Sequence, residues 1–487
     1  MKTRIAGKYV IGFNDGDHVI YEDGCVIYDN EHIVYVGANY DGEVDENHEM
    51  GLSIISPGFI DLDALADIDH ALLDCWATGT LAAGYDWSEK YAVSGPVDVF
   101  TAEERQLIRE YALQQLVLNG VTTAMPIAAE AHSSWAESFD DFAAVTEIAE
   151  RLGLRMYLGP SYRAGVNVVA HDGTRKIHWD HDKGSAGLKD AVRFLEYLNS
   201  RKSPLLRGCL LPARIETLTP ELLRGTALAA EEANCLVRLH CLQEETELSF
   251  LGQSLGRTPL EILDEYGLLN ERLLIPHALY VGGVPFERDR FDSELQLLKT
   301  SGVTVINCPL TSIRNGKALR SFGTYRAAGV NLAIGSDSFP PDLITGMSYG
   351  TNIAKLLDGN QAAGNPGDYF RAATLGGAKA LQRNDLGRLE PGCLADIIVV
   401  DLNSIRTGIP DDPIRTLVMN CSGRDVGMSV IHGRMVMKNG QILAPSPTDL
   451  HQRALHLFEK MKAAYPRRDF LNRPTRELFP ASFEYVR

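Results

Sequence analysis

The chain is predicted to be an α/β protein, a closed parallel (β/α)8 barrel of the TIM type with a small composite β-sandwich domain built from both chain ends. Three patterns predict it: β-style alternation at both ends, strand and helix signals alternating between them, and chemistry-bearing residues gathered at the strand ends. At 487 residues the chain exceeds a single core, which fits one large domain of roughly 250 to 350 residues with smaller additions.

The N-terminal 55 residues alternate apolar and polar positions between Gly, Asn and Asp turns, as in YVIGF, HVIYEDGCVIYD and HIVYVG. This is the pattern of short antiparallel strands. From residue 57, short apolar runs separate long amphipathic stretches such as TAEERQLIREYALQQLVLNG, which opens on Thr-x-x-Glu and closes on Gly. Eight strands are expected at 57–65, 120–127, 154–162, 206–214, 235–242, 272–280, 303–310 and 330–338. The barrel is therefore placed at 56–384, the β style returns over 385–445, and HQRALHLFEKMKAAY begins a helix and tail at 446–487. Chain termini tend to lie near each other, so the two β segments are expected to form one domain.

Hydrophobic residues make up 45% and charged residues 23%, as in ordinary globular proteins, with no apolar run of the roughly 20 residues that span a bilayer. The first 24 residues show no apolar signal-like core. Eight cysteines are scattered without CxxC spacing, which fits a reducing cytoplasm. A formal charge of −17 argues against nonspecific nucleic-acid binding. The expectation is a cytoplasmic protein with a small-molecule substrate and neither nucleic-acid nor membrane partner. A homo-oligomer is expected, with a dimer the commonest form.

In a barrel of this kind the strand ends face the site. PGFIDLDALADIDH places Asp61, Asp63, Asp67, Asp69 and His70 at or beyond the first strand. The fifth ends in LHCLQEE, giving His240, Gln243, Glu244 and Glu245; the sixth gives His277, and the eighth gives Asp337 and Ser338. Two imidazoles and a carboxylate at one mouth suit zinc or iron better than magnesium or calcium. A solvated acidic loop and hydrogen-bonded structural histidines are the plainer alternative, but three groups at three matching strand ends favour a site.

The segments PGFIDLDAL, EYALQQLVLNGVTTAMP, LVRLHCLQEE, LLIPHALY, CPLTSIRNG, LAIGSDS, ATLGGAKAL and LGRLEPGCLADIIVVDL, in that order, resemble the amidohydrolase superfamily in its cytosine deaminase, guanine deaminase and triazine chlorohydrolase branch. The resemblance covers nearly the whole chain. It implies hydrolysis at a carbon bearing nitrogen or a halide, by water activated on a metal, with planar nitrogen-rich compounds among the substrates. It also implies a His-x-His pair on the first strand, where this chain has Asp63 and Leu65, and a proton-carrying Glu where it has Gln243.

Three readings follow. In the first, one zinc or iron ion per chain is held by Asp63, His240, His277 and Asp337, or by a subset joined by His70 or Asp67. Asp337, His277 and Glu244 are then the catalytic groups. In the second, the same carboxylates and histidines act without a metal as a hydrolase or isomerase. In the third, the chain binds or assembles without catalysis. Gln243, Ser312, Arg314, Trp76 and Trp87 are the expected substrate contacts. The stretch 161–189, with Arg163, Arg175, His178, Trp179 and His181, is expected to be a long binding loop.

Overall fold

The computed structural model describes residues 1–73, 79–127 and 133–486. Eight parallel strands run through its centre: β1 Phe59–Leu65, β2 Val121–Ile127, β3 Arg155–Leu158, β4 Leu206–Gly208, β5 Val237–Arg238, β6 Leu273–Pro276, β7 Thr304–Asn307 and β8 Asn331–Ile334. Each falls inside the range expected for it. They form two four-stranded sheets, in the orders β4-β3-β2-β1 and β5-β6-β7-β8. All seven residues of β1 and the first six of β2 are buried, as parallel strands covered on both faces require.

Backbone bonds tie the two sheets together on both sides. Beyond β4, Leu210 N donates to Leu236 O and Arg238 N to Leu210 O, at 2.9 and 3.0 Å. On the other side, Asp337 N, just past β8, donates to Asp63 O of β1 at 2.7 Å. Ser336 adds a bond from its N–H to the Asp61 carboxylate at 3.0 Å. A single apolar cluster takes Leu62, Met125, Tyr157, Leu211, Leu236, Leu274, Ile306 and Ala333 from the eight strands or their immediate neighbours.

Helices fill the connections. The helix α1, Ala102–Leu118, starts with a capping box in which Thr101 and Glu104 satisfy each other's backbone N–H. The helix α2, Glu245–Leu255, follows β5. The helix α3, Leu450–Ala464, near the C-terminus, packs back on α1, with Lys460 Nζ 2.7 Å from Glu104. Leu457 and Met461 of α3 share one cluster with Leu107 and Ile108 of α1 and Ile68 beyond β1.

The two chain ends meet in one nine-stranded sheet. Ser53–Pro57, just before β1, pairs antiparallel with Ile397–Asp401 in a register from Pro57 opposite Ile397 to Ser53 opposite Asp401. The sheet is anchored to the central strands where Gly58 N donates to Asp396 O at 3.0 Å and by the buried ion pair between Arg155 of β3 and Asp396.

The stretch 161–189 departs from the long loop expected of it. It forms an antiparallel hairpin of Gly165–Val169 and Arg175–Trp179, and a helix is already under way at His181. Alternating Val166 and Val168 bury one hairpin face, while Asp180 caps the helix through Lys183 N. Among the described residues no helix is long and apolar enough to cross a membrane. The seven described cysteines are free.

Candidate active site

The ends of β1, β5, β6 and β8 bring Asp63, His240, His277 and Asp337 together. Asp63 Oδ2 lies 3.5 Å from His240 Nε2 and 3.7 Å from His277 Nε2. The carboxylate of Asp337 is 3.5 Å from the same His277 nitrogen. One ligand atom each from Asp63, His240 and His277 fall within 4.8 Å of one another. The imidazole rings stand 5.4 Å apart and tilted by 34°.

Strand-end geometry aims these groups. His277, Ala278 and Asp337 all have left-handed backbone, with φ of 68°, 47° and 39°. Non-glycine residues adopt that region at a cost of roughly 1–2 kcal/mol each, and such strain gathers at functional sites. The His240 ring is fixed by its Nδ1, which donates to Ala213 O at 3.0 Å. A carbonyl only accepts, so Nδ1 carries a proton and Nε2 is the nitrogen that faces Asp63.

The donor set fits a metal. His277 is 1% exposed, and neither of its ring nitrogens has a hydrogen-bond partner among the described residues. Burial, the largest influence, pushes its pKa well below the usual value and outweighs the Asp63 charge. A neutral imidazole results, as a ligand requires. Burial pushes the Asp63 carboxyl up, yet His240 and Arg238 outweigh it and hold the group well below the usual carboxylate range. Two imidazoles and an ionised carboxylate are donors suited to zinc or iron.

Two residues support the cluster: Arg238, which no sequence pattern singled out, and Asp61, expected only as one of the carboxylates of the first strand. Arg238 of β5 is 1% exposed; it bonds the carbonyls of Leu62, Met125 and Pro126 and reaches Asp63 Oδ1 at 3.3 Å. Asp61 accepts from both N and Oγ of Ser336, at 3.0 and 2.6 Å, locking β1 to the segment that carries Asp337. Burial raises the Asp61 pKa to about 6 against those bonds. An arginine on a strand and an aspartate two residues before Asp63 look like ordinary strand residues until the fold places them.

Above the cluster opens a cavity of about 890 Å³ whose wall includes His240, Asp337, Leu65, Asp67, Asp69 and His70. Trp87, Gln243, Glu244 and Arg314 also line it, with Tyr85, Asp86, Arg163, Arg175, Arg214, Lys317 and Arg468. Gln243 accepts from Arg214 at 2.6 Å. Glu244 receives Lys317 Nζ on both oxygens at 2.6 Å. Ser312 is buried behind the wall beside Thr311, which lines it. Trp76 lies outside the described residues.

Residues 54–442 match the amidohydrolase family, and the chain belongs to that family. Among curated proteins, the 5-methylthioadenosine/S-adenosylhomocysteine deaminase of Pyrococcus abyssi is 24% identical, over 86% of this chain and 90% of its own. The 5'-deoxyadenosine deaminase of Methanothermobacter thermautotrophicus is 27% identical, over 57% and 64%. Among solved structures, a zinc-bound adenosine deaminase from Xanthomonas campestris superposes with a TM-score of 0.76 at 19% identity, covering 94% of this chain and 98% of its own.

Proposed function

We propose that this amidohydrolase hydrolyses a C–N bond of a small, planar, nitrogen-rich compound, by deamination or amide-type hydrolysis. The convergence of Asp63, His240 and His277 beneath a cavity that also exposes Asp337 carries this reading. The similarity to proteins named as adenosine and methylthioadenosine deaminases supports the substrate class. Its frame is a closed (β/α)8 barrel over 56–384, supported by the bonds along both seams and by the cluster shared among all eight strands. The nine-stranded sheet of residues 1–55 and 385–445 then folds over its own core as the composite sandwich domain, followed by the helix and tail at 446–487.

Asp63, His240 and His277 would hold one zinc or iron ion, with Asp337 beside them. When bound, such an ion supplies Lewis acidity and brings the pKa of water to about 7. Asp337 takes the proton of the attacking water and returns it to the leaving nitrogen, as base and then acid. His277, 3.5 Å from Asp337, fixes the orientation of that carboxylate. Glu244 is engaged by Lys317, so it shapes the wall while Asp337 carries the proton. Gln243, Trp87 and Arg314 contact the substrate. Asp63 and Leu65 occupy the place of the family's His-x-His pair, so a ligand count short by one is completed from the loop that carries Asp67 and His70. The setting is a cytoplasmic homodimer.

One observation favours a second reading. Arg238 already sits against Asp63 Oδ1 and balances its charge without an ion, as a metal-free Asp/His hydrolase would need. Plasma mass spectrometry on protein purified without added metal separates the two, with ammonia release from aminopurines, aminopyrimidines and aminotriazines measured in parallel. About one zinc or iron per chain, lost in His240→Ala together with activity, supports the metal reading. A metal-free protein that still releases ammonia selects the second reading, and an inactive protein with or without metal overturns the proposed reaction.

A further inference from the structure

The family match ends at residue 442, yet the chain beyond it reaches the cavity. The helix α3 packs against α1 and the segment after β1, and the turn that follows delivers Arg468 to the cavity wall. That turn is pinned. The Asp469 carboxylate accepts from Leu471 N, Arg473 N and the Arg473 guanidinium at 2.6–3.3 Å, and Ser88 N donates to Arg468 O at 2.8 Å.

Arg468 is 3% exposed, and its Nε and Nη2 have no hydrogen-bond partner among the described residues. Its guanidinium stacks on the Tyr465 ring at 4.5 Å. A buried guanidinium with open donors is costly, and buried arginines are ordinarily bonded to a carboxylate or phosphate. Nearby, Asp86 answers to three guanidiniums. Burial and the nearby Glu244 raise its carboxyl while Arg175, Arg214 and Arg468 draw it down, and Arg175 stands 3.3 Å from it. Over the whole wall, among the described residues, six cationic side chains face five carboxylates, Asp67 and Asp69 among them, so the balance leaves room for one more anion. In a chain of net charge −17 the surface field repels anions, so a cationic wall is a local arrangement.

We propose that the C-terminal segment completes the substrate pocket, with Arg468 and Arg175 binding an anionic group carried by the substrate, a carboxylate or a phosphate. This rests on the C–N hydrolysis reading and narrows it to anionic compounds. The guanidinium fork matches the planar oxygens of such a group, and the anion sits at the wall, away from the bond to be cut. Arg468 acts as a specificity residue and takes no part in the proton transfer.

Calorimetry on the metal-loaded full chain, with inorganic phosphate and with benzoate as probes, tests this. The parent is expected to bind at least one of them. Arg468→Gln is expected to bind it roughly tenfold or more weakly, the loss of a charge-assisted bond. Arg175→Gln, at an exposed position, is expected to weaken the same probe without unfolding risk. Tighter benzoate assigns a carboxylate and tighter phosphate a phosphorylated substrate. No anion binding by the parent, or equal binding by all three proteins, overturns the proposal. A parent that binds the anion through Arg468 but hydrolyses no C–N bond overturns only the reaction assigned above. A parent that turns over a neutral heterocycle with a KM unmoved by Arg468→Gln overturns the anion site and leaves that reaction standing.

Discussion

The floor and the wall of the cavity are built on different principles. The floor consists of short side chains at strand ends, Asp63, His240, His277 and Asp337, all 7% exposed or less, held by backbone bonds and left-handed turns. The wall mixes long cationic and acidic side chains from loops, a hairpin and the C-terminal turn, with Glu244 paired to Lys317 and Asp86 to Arg175. A rigid scaffold sets positions for chemistry within fractions of an ångström, whereas recognition tolerates longer and more mobile arms.

The largest effect is expected on the floor. Asp337→Asn should lower kcat by about 10²–10⁴, the range for loss of a general acid–base group, with a melting temperature close to that of the parent. A loss confined to KM would move Asp337 from floor to wall. Next comes the metal. Chelation should lower the melting temperature and zinc should restore it, by about 2.7 kcal/mol of stability at a hundredfold excess over Kd. His240→Ala should remove that response in scanning calorimetry.

Behind the wall, Glu247 accepts from Leu242 N and Gln243 N at 2.6 and 3.0 Å. Burial and then the neighbouring Glu216 push its pKa up to about 8. The unfolded carboxyl titrates near 4, at about 4.3, so the folded state holds a proton that the unfolded state releases between the two values. That contribution is complete below pH about 4 and is lost as pH rises toward about 8. Glu247→Gln should flatten the melting-temperature profile across that window. An unchanged slope would show that some other group governs it.

The smallest effect belongs to the rim. Lys317→Met breaks a partly exposed ion pair and should cost under about 1 kcal/mol in denaturant unfolding, while altering KM more than kcat. A kcat loss as large as that of Asp337→Asn would return the proton-carrying role to Glu244.

The contrast between floor and wall also marks what could be read from the sequence. His240, His277 and Asp337 stood out because strand ends in a repeating βα pattern share one mouth, so local pattern sufficed to place them. The Thr101 cap of α1 was equally legible because its partner, Glu104, is three residues away. Arg468 was not, since it reaches the cavity from more than a hundred residues beyond β8. Neither was Arg238, whose partners are carbonyls on β1 and β2, and carbonyls leave no trace in residue type. The hairpin at 165–179 was hidden by its turn-rich composition, although GVNVV carries the alternation of a strand.

The pairing of Ser53–Pro57 with Ile397–Asp401 has a consequence for biosynthesis. The strand at 53–57 leaves the ribosome some 340 residues before the partner that covers its edge, a delay of about 20 to 70 s at ordinary synthesis rates. Throughout that interval a strand of five residues that end up fully buried must wait with an open edge, which is a template for mispairing. The order of synthesis thus closes the sheet of the two chain ends only after all eight central strands have been made, and leaves it dependent on protection until then.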